Sequence, residues 1–134
     1  MIGIVLVSHG ALAEGLKNAA EMIIGPQERL IAVGMPPQAD LATLRHEIEA
    51  ALLQVGDQRG ALVLVDILGG SPANIGLHLA KSDTEVICGT NLPMLLEMLT
   101  QRENSTLQEL ASLAVQTARE GVIRLSHQRA GDDE

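Results

Sequence analysis

At 134 residues, with 46% hydrophobic side chains, the chain has the size and composition of one globular domain. It holds no Phe, Tyr or Trp and carries a formal net charge of −8. That leaves no ring on which to stack a base and opposes contact with a phosphate backbone, so DNA and RNA are excluded as partners. A single cysteine, Cys88, excludes a disulfide framework within the chain and fits a reducing compartment, so the expected location is cytoplasmic.

The chain opens on an apolar run with no basic region before it and no small-residue cleavage site after it, so a signal peptide is not expected. The run is too short to span a bilayer. Ile2 to Val7 instead reads as a strand buried on both faces. Leu12 to Ile24 has helical spacing and stops at Gly25-Pro26. Leu30 to Val33 is a short second strand, followed by Met35-Pro36-Pro37. Asp40 caps a helix whose apolar positions are Leu41, Leu44, Ile48, Leu52 and Leu53. Ala61 to Asp66 is a third strand, broken by Gly69-Gly70-Ser71-Pro72, where Ser71 and Pro72 fit the N-cap and first turn of a third helix. Val86 to Gly89 is a fourth strand. Leu92 to Leu99 and Leu107 to Arg119 are two further helices, and Val122 to Leu125 is a final short strand.

This order predicts an α/β fold: an open, mainly parallel sheet with helices on both faces and a short extra strand near the C-terminus. Residues 1–126 form the domain, and 127–134 a flexible acidic tail. In such sheets ligands bind beyond the carboxyl ends of the strands, at a topological switch point. That rule gathers Ser8-His9-Gly10, Met35-Pro36-Pro37, Asp66 to Ser71 and Thr90 to Pro93. One histidine, one carboxylate and one glycine-rich helix entry therefore meet at one edge, with strand one beside strand three.

These parts suit phosphoryl transfer through histidine. A neutral imidazole nitrogen attacks phosphorus, while a carboxylate on the other ring nitrogen fixes the tautomer and favours the charge that develops. Helix N-termini meet the charge of the phosphate. His9 is the candidate phosphoacceptor, Asp66 its orienting partner, and Gly10, Gly70 and Ser71 the candidate phosphate-binding residues. No metal or cofactor is expected.

Five segments carry a resemblance in register: Ser8-His9-Gly10, Leu64-Val65-Asp66, Gly69 to Asn74, Asn91-Leu92-Pro93-Met94-Leu95, and Ala118 to Val122. Together they resemble the IIA domain of the mannose-type bacterial phosphotransferase system, over roughly residues 2 to 125. The resemblance implies that His9 takes a phosphoryl group from the phosphocarrier HPr and passes it to a IIB partner in sugar uptake and phosphorylation. It implies that Asp66 holds the ring and that Ser71 lies near the phosphate. It also implies a homodimer with the last strand in the interface, and a membrane link only through a IIC–IID transporter. No IIB segment follows, so IIB is expected to be a separate protein or absent. Two alternatives stand beside this: a regulatory IIA protein whose phosphorylation state controls a partner, and the phosphotransfer subunit of a dihydroxyacetone kinase.

His46, His78 and His127 read as structural or solvent-facing. Asp66 also fits a turn cap, Ser71 an N-cap alone, Asn91 and Pro93 a shaped loop, and Cys88 a small core residue. Ser71, His9 and Asp66 contain the residue types of a hydrolase triad, but Ala73 stands where the nucleophile elbow needs glycine. No G-x-G-x-x-G follows the first strand, and there is no zinc signature.

Overall fold

A computed structural model describes residues 1–127. The acidic tail expected over 127–134 lies outside the described residues, His127 excepted. In chain order the elements are β1 (Gly3–His9), α1 (Leu12–Ile24), β2 (Leu30–Met35), α2 (Leu41–Val55), β3 (Ala61–Val65), α3 (Gly70–Leu79), β4 (Thr84–Cys88), α4 (Leu92–Gln101) and α5 (Leu107–Glu120). The four strands form one parallel sheet in the order β2-β1-β3-β4. The chain order reverses direction between β1 and β3, which makes that boundary the switch point.

Strand alternation divides the core in two. On one face Ile4, Leu6, Leu62, Leu64 and Ile87 pack with Ala13 and Ala20 of α1, Met94, Leu95 and Met98 of α4, and Leu110 and Ala114 of α5. On the other, Val5, Val7, Val63 and Val65 pack with Leu44, Ile48, Ala51 and Val55 of α2 and Ala73 of α3. β1 and β3 lie at the centre and are buried on both faces, which is why they read as unbroken aliphatic runs. Truncating a fully buried side chain such as Ile4 to Ala costs about 2–5 kcal/mol. None of the described helices is long and apolar enough to cross a membrane.

The N-terminal edge of the sheet is tied shut by polar contacts. Arg102 at the end of α4 is 1% exposed and donates to the carbonyls of Ile2, Glu28 and Arg29 and to Gln27 Oε1. Its Nε has no partner, and burial pushes its pKa below the ordinary guanidinium range. The amino terminus bonds Asp57, and Arg59 reaches the carbonyls of Glu103 and Ser105.

Two expectations are corrected. Val122 to Leu125 is not a strand: residues 122–124 have no regular structure and Leu125 is helical. Val122, Ile123 and Leu125 stand exposed, with no strand beside them to complete a ladder. Ser71 is not the cap of α3 either, because the helix begins at Gly70 with Gly69 in the cap position and no side-chain cap.

Candidate functional site

β1 and β3 run side by side with Val7 opposite Val65, so each strand delivers its next residues to the same edge. His9 ends β1 and Asp66 follows β3. The Asp66 N–H donates to the Val7 carbonyl at 3.1 Å, which brings its carboxylate beside His9. Asp66 Oδ2 then accepts the His9 main-chain N–H at 3.0 Å and lies 2.9 Å from His9 Nδ1, while Oδ1 accepts the Ile67 N–H at 2.9 Å.

Burial alone raises the Asp66 carboxyl. The His9 N–H, the His9 ring, its charge and the Ile67 N–H outweigh that and hold the group below the ordinary aspartate value. An ionised carboxylate only accepts hydrogen bonds, so Nδ1 must carry the proton of this pair. Whenever the ring is neutral, Nε2 is then the nitrogen that keeps its lone pair. The side chain of His9 is 48% exposed and that of Asp66 only 9%. The imidazole thus faces outward and the carboxylate is set behind it.

Nε2 lies against the start of α3. Gly70 has φ +81°, and a Cβ built there would sit 3.3 Å from both Cε1 and Nε2 of His9. The first N–H groups of a helix have no intrahelical acceptor, so this end of α3 presents donors and a positive dipole end to the space beside Nε2. Pro72, in the first turn, withholds one donor and fixes the helical φ. Among the described residues the Ser71 hydroxyl forms no hydrogen bond, so no triad is assembled with His9.

The other two segments frame this pair. Gly10, at φ +56°, donates its N–H to the Met35 carbonyl at 2.8 Å, which fastens the β1–α1 turn to the end of β2. Thr90 donates its N–H and hydroxyl to the Val65 carbonyl, at 3.1 and 2.8 Å, just before Asp66. Asn91 does more than shape a loop: its Oδ1 accepts the Met94 N–H to cap α4, and its Nδ2 donates to the Ala118 carbonyl of α5. His46, His78 and His127 are exposed and lie outside the segments that form this edge, and His78 Nδ1 bonds the Asn74 carbonyl one turn earlier.

Sequence reasoning passed over Ser8. Its hydroxyl is buried and accepts the Ala13 N–H of α1 at 2.7 Å. The signal was a lone polar side chain closing an aliphatic strand. The rim of the site is apolar: Leu12 follows His9 by three residues and Ile67 and Leu68 follow Asp66, and all three are exposed, Leu68 at 82%. No Lys or Arg occurs in residues 8–14, 34–40, 66–74 or 89–94.

Comparison with known proteins gives one consistent result. The family model described as PTS system fructose IIA component matches residues 3–115. The mannose-specific EIIAB component of Escherichia coli K12 is 41% identical over 127 residues, covering 92% of this chain and 39% of that protein. The chain thus spans well under half the length of these EIIAB relatives. The fructose-specific EIIA component of Bacillus subtilis is 35% identical over 112 residues, covering 82% of this chain and 77% of its own. The crystal structure of component EIIA from Streptococcus agalactiae superposes with a TM-score of 0.86 at 28% identity, over 95% of this chain and 99% of that one.

Proposed function

Because the chain belongs to the mannose-type family of phosphotransferase-system IIA components, we propose that its work is to carry a phosphoryl group on His9, taken from phospho-HPr and passed to a IIB protein during sugar uptake. The observation that carries this reading is the His9–Asp66 pair, which holds Nδ1 at 2.9 Å from a carboxylate and leaves Nε2 beside the N-terminus of α3.

In the forward step the Nε2 lone pair attacks phosphorus. The bond between phosphorus and the carrier breaks, and its electron pair returns to the carrier. The ring becomes cationic, and Asp66 stabilises that charge through the Nδ1 proton it already accepts. Transfer of this kind is mostly positioning and charge stabilisation. Gly10 lets the chain turn away from the ring, and Gly70 and Ser71 supply the space and the N–H groups that meet the phosphoryl oxygens. Transfer to IIB is the same step reversed onto a different acceptor. No metal or cofactor enters.

The surroundings favour a protein as the phosphoryl donor. Arg119 of α5 lines a cavity with Gly89 and Asn91, but the four segments that form this edge themselves contain no Lys or Arg. They offer Leu12, Ile67 and Leu68 to solvent instead, which suits the apolar surface of a partner protein. The exposed Val122, Ile123 and Leu125 support a second association, a homodimer in which these residues pack against another copy. Such a protein works in the cytoplasm and meets the membrane only through IIB and a IIC–IID transporter.

The direct test is incubation with enzyme I, HPr and labelled phosphoenolpyruvate. The chain should acquire one phosphoryl group that is acid-labile and base-stable. His9→Ala should acquire none, while replacements of His46, His78 or His127 should label normally. Label on Ser71, or label persisting in His9→Ala, overturns the proposal.

A further inference from the structure

We propose that Ser8 is a positioning residue for His9: its buried hydroxyl locks the β1–α1 turn and so determines where the imidazole points. The proposal rests on the phosphotransfer reading for its kinetic consequence, but not for its structural one.

Three observations carry it. First, α1 has no cap of its own. Ala11 stands at the N-cap and supplies no side-chain oxygen. The Ala13 N–H is instead satisfied by Ser8 Oγ at 2.7 Å, from five residues earlier. Ser8 is still inside β1, paired with Gly34 of β2, so a rigid strand holds the end of the helix. Second, the same hydroxyl lies 3.5 Å from the Gly10 carbonyl and is directed at it as donor. One oxygen, on the residue before His9, therefore touches the turn after His9 at two points. Third, Ser8 is 1% exposed, so its hydroxyl is closed off from bulk water. Strand alternation turns Ser8 toward α1 and sends His9 to the opposite side, toward Asp66.

His9 is thus fixed by two separate devices. Asp66 holds its main-chain N–H and its Nδ1. Ser8 fixes the residues on which the backbone of His9 hangs. Without Ser8 the Ala13 N–H is left buried and unpaired. The first turn of α1 then has reason to retreat toward water or toward a 3₁₀ geometry. The backbone of residues 9–11 follows it, and the ring loses its alignment with Asp66 and with the N-terminus of α3.

The test compares Ser8→Ala, Ser8→Thr and Ser8→Cys in the full chain. Thr keeps the hydroxyl, while Cys keeps the volume with a much weaker acceptor. The primary readout is the tautomer of His9, from ring ¹⁵N shifts at alkaline pH. Wild type and Ser8→Thr should show the Nδ1–H form. Ser8→Ala and Ser8→Cys should show a mixture with the Nε2–H form, which a cap acting only on helix stability would not produce. The second readout is transfer from phospho-HPr: kcat should fall roughly 10- to 100-fold in Ser8→Ala with KM unchanged, and return in Ser8→Thr. If Ser8→Ala does not fold, Ser8→Cys decides alone. An unchanged tautomer in the hydroxyl-free variants, or a loss confined to KM, overturns the proposal. If wild type takes no label at all, the phosphotransfer reading fails, and the tautomer comparison still decides the role of Ser8.

Discussion

A single carboxylate oxygen, Oδ2 of Asp66, receives both the main-chain N–H and the ring nitrogen of His9, at 3.0 and 2.9 Å. The two bonds differ in kind. The first fixes the strand end from which the ring projects. The second fixes the ring about its own bonds. Removing the carboxylate therefore loosens backbone and side chain together, while the nucleophile survives.

Asp66→Ala should slow transfer from phospho-HPr on the order of 100-fold without abolishing it. Single-turnover labelling measures this. Asp66→Asn should fall between the two, because an amide oxygen accepts the main-chain N–H but does not stabilise a cationic ring.

The lowered pKa of Asp66 also makes stability depend on pH. Its folded value lies below the ordinary aspartate value of 3.8. A depressed carboxyl contributes stability that is fully present above its unfolded pKa and is lost as pH falls through its folded pKa. Urea midpoints should decline in wild type as pH drops below about 4. In Asp66→Asn part of that decline should be missing. Equal slopes for the two proteins would show that the pair contributes nothing to folding.

Gly70→Ala should be inactive and folded. The added methyl group would sit 3.3 Å from Nε2, where phosphorus must approach, and would hold a non-glycine residue at φ +81°. That backbone conformation costs about 1–2 kcal/mol, which a domain of this size tolerates. Labelling should vanish while circular dichroism is retained and the thermal midpoint drops modestly.

Asn91→Ala should do the reverse. It removes the cap of α4 and the bond to the Ala118 carbonyl, for a loss of about 1–2 kcal/mol. His9 keeps all its partners, so phosphoryl transfer at 25 °C should stay near the wild-type rate. A large drop in rate would tie α4 to the site in a way its contacts do not.

Ile123→Asp should separate the two copies of the proposed homodimer. Sedimentation velocity at micromolar concentration should show wild type as a dimer and the variant as a monomer. Labelling of His9 should persist in the monomer, since every residue placed around His9 here belongs to one chain.

The pairing of His9 with Asp66 was legible because strand ends obey a simple rule. Two aliphatic runs buried on both faces must be central, and residues following central parallel strands share an edge. Helix α1 was legible for the same kind of reason, with a clear period closed by Gly25-Pro26. Local pattern failed where the outcome depends on distant partners. Val122 to Leu125 has strand composition, but a strand exists only where another offers a ladder, and this sheet ends at β4. Ser71 has the identity of a cap, yet it already lies inside the helix, one residue past its start at Gly70. Arg102 gave no sign of burial, since its partners are carbonyls some 70 to 100 residues away in sequence. Such contacts leave no trace in local pattern.

The exposed tip at Leu68 has one practical consequence. The chain contains no Trp, Tyr or Phe, so it emits no intrinsic fluorescence on excitation in the near ultraviolet. A tryptophan placed at Leu68 would be its sole fluorophore, in an open loop two residues beyond the carboxylate that holds His9. Docking of a carrier there would move the indole from water into a protein contact and shift its emission to the blue. The rim of the site would then serve as an optical reporter, following arrival and departure of each partner in real time against a dark background, provided the carrier itself lacks tryptophan.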